Sequence, residues 1–166
     1  MAVGLGGTIV SVPRVPPLLL TGIAAILQAV GARRSAPTRA SLAGAAALAA
    51  GSAWMLTGSV ARFRQQDTTV NPVEVDRVSA LVETGPYRLT RNPMYVGMAG
   101  LLLAHAVGRR SWTAGLPVVL YVGMIDRLQI PAEEQALRVA FGSDYDAYAR
   151  RVPRWLDLRS LRRRSR

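Results

Sequence analysis

The stretch PMYVGMAGLLLAHAVGRRSWTAGLPVVLYVGMIDRLQI, residues 93–130, decides the fold. It holds two apolar runs almost free of charge, 93–108 and 112–130, joined only by Gly108-Arg109-Arg110-Ser111. Each run is close to the ~20 residues a helix needs to cross a bilayer, and so short a link forces the pair into a tight antiparallel hairpin. Working outward, residues 15–31 and 40–60 read in the same way. Pro16 and Pro17 suit a helix start, where a missing N–H costs nothing. The 40–60 run carries Gly44, Ala45, Ala46, Ala47, Ala49, Ala50, Gly51 and Ser52, small residues that let helices approach closely in lipid. The expected fold class is all-α: a polytopic helical membrane protein of about four transmembrane helices, with a tight C-terminal hairpin and a cytoplasmic C-terminal helix.

Composition agrees. Of 166 residues half are hydrophobic but only 6% aromatic, so Ala, Leu, Val and Gly carry the apolarity. All 21 basic residues are arginine, against 10 acids, for a net charge of +11. Such an excess asks for a polyanionic neighbour. The arginines fall between and after apolar runs and not along an aromatic-interleaved face, so the expected partners are anionic membrane lipids and not nucleic acid. With no cysteine and one histidine, His105, the chain has no disulfide framework, no thiolate nucleophile and no Cys/His metal cluster, so no metal is expected. The first apolar run is flanked only by Arg14 and leads into no small-x-small cleavage site, so it reads as a membrane helix and not as a signal peptide. Nothing in the sequence sets the oligomeric state.

Four spans put both termini on one side. The N-terminus, the 61–92 segment and the tail from Arg127 onward hold sixteen arginines, and the opposite side holds five: Arg33, Arg34, Arg39, Arg109 and Arg110. By the positive-inside rule the N- and C-termini and the 61–92 segment are cytoplasmic, in the inner or plasma membrane. The two polar segments, 61–92 and 131–166, then share one face and can build one site. The first has turn signals at Asn71-Pro72, Gly85-Pro86 and Asn92-Pro93 around an apolar stretch, Val78 to Val82; the second alternates apolar and charged residues at helical spacing from Ala132 to Arg151.

Tyr87, Arg91, Asn92 and Tyr95 cluster where the hairpin begins, and Asp126, Arg127, Glu133 and Glu134 where it ends. Ionisable groups at a membrane boundary are costly, so they pair or they function. One reading has Arg91 and Arg127 snorkelling to headgroups with the carboxylates as partners; the other makes them a site.

The run Leu81-Val82-Glu83-Thr84-Gly85-Pro86-Tyr87-Arg88-Leu89-Thr90-Arg91-Asn92-Pro93-Met94-Tyr95 resembles the isoprenylcysteine carboxyl methyltransferase family, in which Gly-x-Tyr precedes Arg-His-Pro-x-Tyr or Arg-Asn-Pro-x-Tyr. Glu133-Glu134, Phe141-Gly142, Tyr145, Tyr148 and Val152-Pro153-Arg154-Trp155 are similar to its Glu-Glu, Phe-Gly-x-x-Tyr-x-x-Tyr and closing Val-Pro-Arg elements. The resemblance covers about residues 68–156. It divides the chain into N-terminal transmembrane helices (1–61), a methyltransferase core (62–156) and a basic tail (157–166).

The resemblance implies a membrane methyltransferase that uses S-adenosylmethionine and releases S-adenosylhomocysteine. The matching cofactor positions are Ser79, Leu81, Val82, Tyr87, Asn92, Pro93, Met94, Tyr95 and Glu133. A sulfonium donor carries an ammonium, a carboxylate, two ribose hydroxyls and an adenine, so it calls for carboxylate acceptors, backbone donors and an apolar slot. Methyl transfer is an in-line displacement that chiefly needs alignment and exclusion of water. A carboxylate acceptor needs no base but does need a cation, and the catalytic candidates are Arg127, Arg91 and Glu134. Where eukaryotic relatives place an arginine for this task, four residues before the glutamate pair, this chain has Gln129; the nearest arginine, Arg127, lies seven residues before Glu134 and on the same helical face, with Pro131 a candidate kink between them. Asn92 stands where many relatives have histidine, and it can position but not titrate. His105 reads as a packed polar residue bonded to a neighbouring helix. Tyr145 and Tyr148 either close the site or pack the tail helix on the membrane surface. The five arginines between Arg159 and Arg166 read as a tether to anionic lipid.

The expected function is transfer of a methyl group to a lipophilic acceptor entering laterally from the bilayer, a prenylcysteine-like carboxylate or another small lipophilic molecule. The alternatives are N-methylation of a phospholipid amine and a non-catalytic membrane scaffold of the same fold.

Overall fold

The computed structural model describes residues 16–31, 35–65, 81–158 and 160, and among them the chain is helical with no strand. The elements are α1 (Pro17–Gly31), α2 (Arg39–Gln65), a 3₁₀ turn at Gly85–Arg88, α3 (Pro93–Gly108), α4 (Gly115–Met124), a π segment at Ile125–Gln129 and α5 (Ile130–Arg151). The π segment runs into α5 without a break, so α4 and α5 are continuous up to a bend at Gly142, and the described residues make four rods.

Local chemistry sets the ends. Before α2, Thr38 N–H donates to Ser41 Oγ at 3.0 Å and Ser41 N–H donates to Thr38 Oγ1 at 3.2 Å, a reciprocal cap for otherwise orphaned amides. α3 begins on Pro93, at the first helical position, where proline suits the turn. Pro131, the candidate kink, follows directly on the irregularity: the five-residue π turn ends at Gln129, and Ile130 N–H donates to Ile125 O. The backbone departs from helical values at Gly142 (φ 50, ψ −123), a conformation open in practice only to glycine.

α3 is the central rod. α2 packs along one side of it, and α1 and α4 contact it from elsewhere. The α2–α3 approach is close because α3 offers Gly97 and Gly100 to Ser52 and Leu56: a Cβ on Gly97 would lie 2.7 Å from Leu56 Cγ, and one on Gly100 only 2.2 Å from Ser52 Oγ. Of the small residues expected to mediate packing, Ser52 is the one at the tightest point, whereas nothing lies within 4 Å of a Cβ on Gly51. Gln28 is fully buried and ties α1 to the hairpin: its Nε2 donates to Leu102 O at 3.0 Å and Ala114 O at 2.7 Å, and its Oε1 meets His105 Nδ1 at 3.0 Å. His105 therefore bonds to a neighbouring helix, although its side chain sits at the bundle surface.

The apolar core joins Ala24, Tyr95, Met98, Leu102, Tyr121, Ile125 and Ile130. Large apolar side chains also face outward on every rod, among them Leu19, Ile26, Val30, Trp54, Leu103, Leu116 and Val119. Among the described residues one helix, α2, is long and apolar enough to cross a membrane; α1 and α3 are shorter apolar helices of 15 and 16 residues. Of the about four expected spans, one, α2, is a candidate by its own length and composition. At 1.5 Å per residue the shorter rods reach only ~24 Å of a hydrocarbon layer about 30 Å thick.

Candidate active site

The site forms where the segment before α3, the start of α5 and the strap after α5 converge. Residues 81–92 arrive as extended chain and the 3₁₀ turn, and the strap is Val152-Pro153-Arg154-Trp155. Backbone and side-chain bonds lace the two together. Arg91 N–H donates to Pro153 O at 2.9 Å, while Thr90 Oγ1 and Asn92 Nδ2 both donate to Arg154 O, at 2.7 and 3.0 Å. Asn92 thus spends its amide on the strap and does not cap α3.

At the centre lies a chain of alternating charges. Glu134 is buried, and Arg154 grips both its oxygens, Nε to Oε1 at 3.0 Å and Nη2 to Oε2 at 2.9 Å. Arg91 Nη1 approaches the same carboxylate at 3.1 Å and also donates to Tyr145 Oη at 3.1 Å. Arg154 Nη1 reaches Asp126 Oδ1 at 3.2 Å, and Trp155 Nε1 donates to that same oxygen at 2.8 Å. At the rim of this chain Arg138 Nη2 stands 3.7 Å from Glu134 Oε2, and Arg127 Nε 3.6 Å from Asp126 Oδ2. The hydrogen bonds to Glu134 raise the pKa of Arg154 above its already high value, so its charge is permanent.

Beside this chain, Glu133 accepts hydrogen bonds from Tyr95 Oη and from Gln129 Nε2, the latter at 2.7 Å. Tyr148 Oη donates to Tyr87 O at 2.9 Å, and the Tyr87 ring stands edge-on to Phe63 of α2 with centroids 5.5 Å apart. Burial pushes the phenols of Tyr87, Tyr145 and Tyr148 upward, so they are donors at neutral pH and not bases.

The structure therefore brings together most of the residues singled out in the sequence. Arg91 joins Glu134, and Tyr95 joins Glu133. Val82 and Pro93 are buried, Met94 is half-buried, and Leu81 packs on Tyr145, Tyr148 and Val152. Ser79 lies outside the described residues. Arg127 stays at the edge: its side chain is 85% exposed and its ion pair is with the adjacent Asp126 at 3.6 Å. The same-face argument assumed a regular helix from 127 to 134, and the π segment breaks that register. Arg154 was quoted in the sequence only as part of a closing motif, and nothing in local spacing announced its partners, which lie 20 and 28 residues away. Gln129, noted only as a missing arginine, proves to be a ligand of Glu133.

These residues fit S-adenosylmethionine in kind. Arg91 Nε is buried with no hydrogen-bond partner among the described residues, a donor suited to a ligand carboxylate. Glu133 is an acceptor suited to an ammonium or ribose hydroxyls.

A family model described as phospholipid methyltransferase matches residues 40–144 of the chain. The chain is also similar to an uncharacterized protein of Haemophilus influenzae, 35% identical over 63 residues, which are 38% of this chain and the whole of that one. No solved structure matches.

Proposed function

We propose, because this chain belongs to the phospholipid methyltransferase family and is an S-adenosylmethionine-dependent methyltransferase, that it methylates the amine of a membrane lipid headgroup at the junction of α3, α5 and the strap. The observation that carries the choice of acceptor is Gln129, four residues before the glutamate pair, which donates to Glu133 and brings no cation to the site. A carboxylate acceptor needs a cation besides Arg91, which the cofactor carboxylate would occupy in this reading, and besides Arg154, which holds Glu134 and Asp126; Arg127 is exposed and pairs with Asp126. An amine acceptor reacts as its neutral free base and needs no such cation. This reverses the order of acceptors expected from the sequence.

S-adenosylmethionine supplies an electrophilic methyl group on a sulfonium centre. The protein's part is to bind, orient and exclude water. Arg91 Nε would hold the carboxylate of the cofactor, and Glu133, itself oriented by Tyr95 and Gln129, its ammonium or ribose. Tyr87, fixed through its carbonyl by Tyr148 and through its ring by Phe63, with the buried Val82, would form the apolar wall.

The protein is integral to the membrane in this reading, with both termini and the site on the cytoplasmic side. The arginine asymmetry, the length of α2 and the outward-facing apolar side chains support it. The acceptor enters from the lipid, and anionic headgroups attract the arginine-rich tail.

The test is to supply membranes containing the protein with methyl-labelled cofactor and to treat the labelled lipid with mild alkali. Amine methylation leaves alkali-stable label in headgroups, formed at a rate that rises with pH through the amine's titration. Label released as methanol marks a methyl ester and returns the acceptor to a carboxylate.

A further inference from the structure

We propose that Arg154 is a positioning residue for the cofactor site, acting on Arg91 through the carboxylate that the two arginines share. The inference rests on the methyltransferase reading above and extends it to a residue that touches neither cofactor nor acceptor in that reading.

One short strap grips Arg91 at two levels. At the backbone, Pro153 O takes the Arg91 N–H at 2.9 Å, and Arg154 O takes both neighbours of Arg91, through the Thr90 hydroxyl and the Asn92 amide. At the side chain, Arg154 holds Glu134 by a two-pronged pair of bonds at 3.0 and 2.9 Å, which fixes the plane of the carboxylate. Only then does Oε1 present itself to Arg91 Nη1 at 3.1 Å. Arg154 is in turn held by Asp126, whose position Trp155 fixes with a bond of 2.8 Å. The order of influence is thus Trp155 and Asp126, then Arg154, then Glu134, then Arg91.

The buried Nε of Arg91 has no partner among the described residues. Its availability to a ligand depends on Glu134 being satisfied elsewhere. Without Arg154 the buried Glu134 has Arg91 as its main counter-charge, because Arg138 stands further off at 3.7 Å and is half exposed. Arg91 is then drawn onto Glu134, and its Nε is lost to the ligand.

The test is the affinity of the purified full chain for S-adenosylhomocysteine, measured by calorimetry for wild type, R154Q, R154K, E134Q and R154Q/E134Q, each first shown to be monodisperse. R154Q is expected to bind on the order of tenfold more weakly, the scale of one unsatisfied buried partner. R154K should lose nearly as much, since an ammonium cannot span both carboxylate oxygens. The double variant should bind no more weakly than E134Q, because the effect travels through Glu134, and the KM for the acceptor should stay at the wild-type value. Wild-type affinity in R154Q, or additive losses in the double variant, would overturn the proposal and leave the methyltransferase reading standing. If R154Q does not fold, wild-type affinity in R154K overturns it equally. A wild-type protein that binds no S-adenosylhomocysteine removes the methyltransferase reading, and the role of Arg154 with it.

Discussion

Tyr148, on the last turns of α5, donates its phenolic hydrogen to the backbone carbonyl of Tyr87 at 2.9 Å, across 61 residues of sequence. The bond fastens the C-terminal helix to the 3₁₀ turn that precedes α3, and both partners are buried. Tyr145, one helical turn earlier, meets Arg91 in the same region. Of the pair read in the sequence as closing the site or packing the tail helix on the membrane surface, each tyrosine bonds to the segment that precedes α3, Tyr145 to Arg91 and Tyr148 to the Tyr87 carbonyl.

Replacing Tyr148 by Phe removes one buried hydrogen bond and keeps the ring. It should cost about 1 kcal/mol of stability, read as a lowered thermal midpoint in detergent. An unchanged midpoint would mean that the bond contributes nothing net.

Glu134 and Arg127 should respond in opposite ways. Glu134→Ala leaves Arg91 and Arg154 without their shared counter-charge in a poorly hydrated setting, a loss of about 3–5 kcal/mol by the usual cost of breaking a buried pair. Arg127→Ala, at an exposed position, should change stability by less than about 0.5 kcal/mol and leave the acceptor KM alone. A raised KM in Arg127→Ala would give that arginine back the acceptor-holding role expected from the sequence.

Gly142→Ala tests the backbone alone. A Cβ there would touch nothing within 4 Å, so any cost comes from forcing alanine into φ 50, ψ −123. The expected penalty is about 1–3 kcal/mol, with cofactor affinity falling as well, because the bend at Gly142 sets Tyr145 and Tyr148 against Arg91 and Tyr87. Wild-type stability would show that the bend relaxes freely.

The buried tyrosines fix the sign of an alkaline transition. Tyr87, Tyr145 and Tyr148 have pKa values raised by burial, so their neutral forms are favoured in the folded protein. Their contribution to stability is complete below the unfolded phenol value of about 10 and declines as pH climbs from there toward the folded values. Denaturant midpoints should hold level up to about pH 10 and fall above it; removing Tyr148 as Phe should flatten part of that fall.

The sequence made the helices and the meeting place of the two polar segments legible, because apolar runs, Pro93 and a four-residue link leave few alternatives. It also made Arg91, Tyr95, Glu133 and Glu134 visible as a group, through their resemblance to a known motif order. Arg154 stayed hidden because its partners come from distant turns of the chain, and no periodicity links residue 154 to 126 and 134. The relation of Arg127 to Glu134 is hard to read for a local reason: counting seven residues along a helix presumes a constant turn, and the π segment at Ile125–Gln129 alters it. Of the four apolar runs, the length of α2 alone suffices for a bilayer crossing by a single helix, because α1 and α3 are shorter apolar helices and α4 gives way to the π segment.

The central question is whether the cluster of Glu133, Tyr95 and Arg91 holds the methyl donor. Equilibrium binding of S-adenosylmethionine to the purified full chain measures it: saturable binding is predicted, weakened at least about tenfold in Glu133→Gln by loss of a charged acceptor. No binding at millimolar cofactor, or equal affinity in the variant, would contradict it.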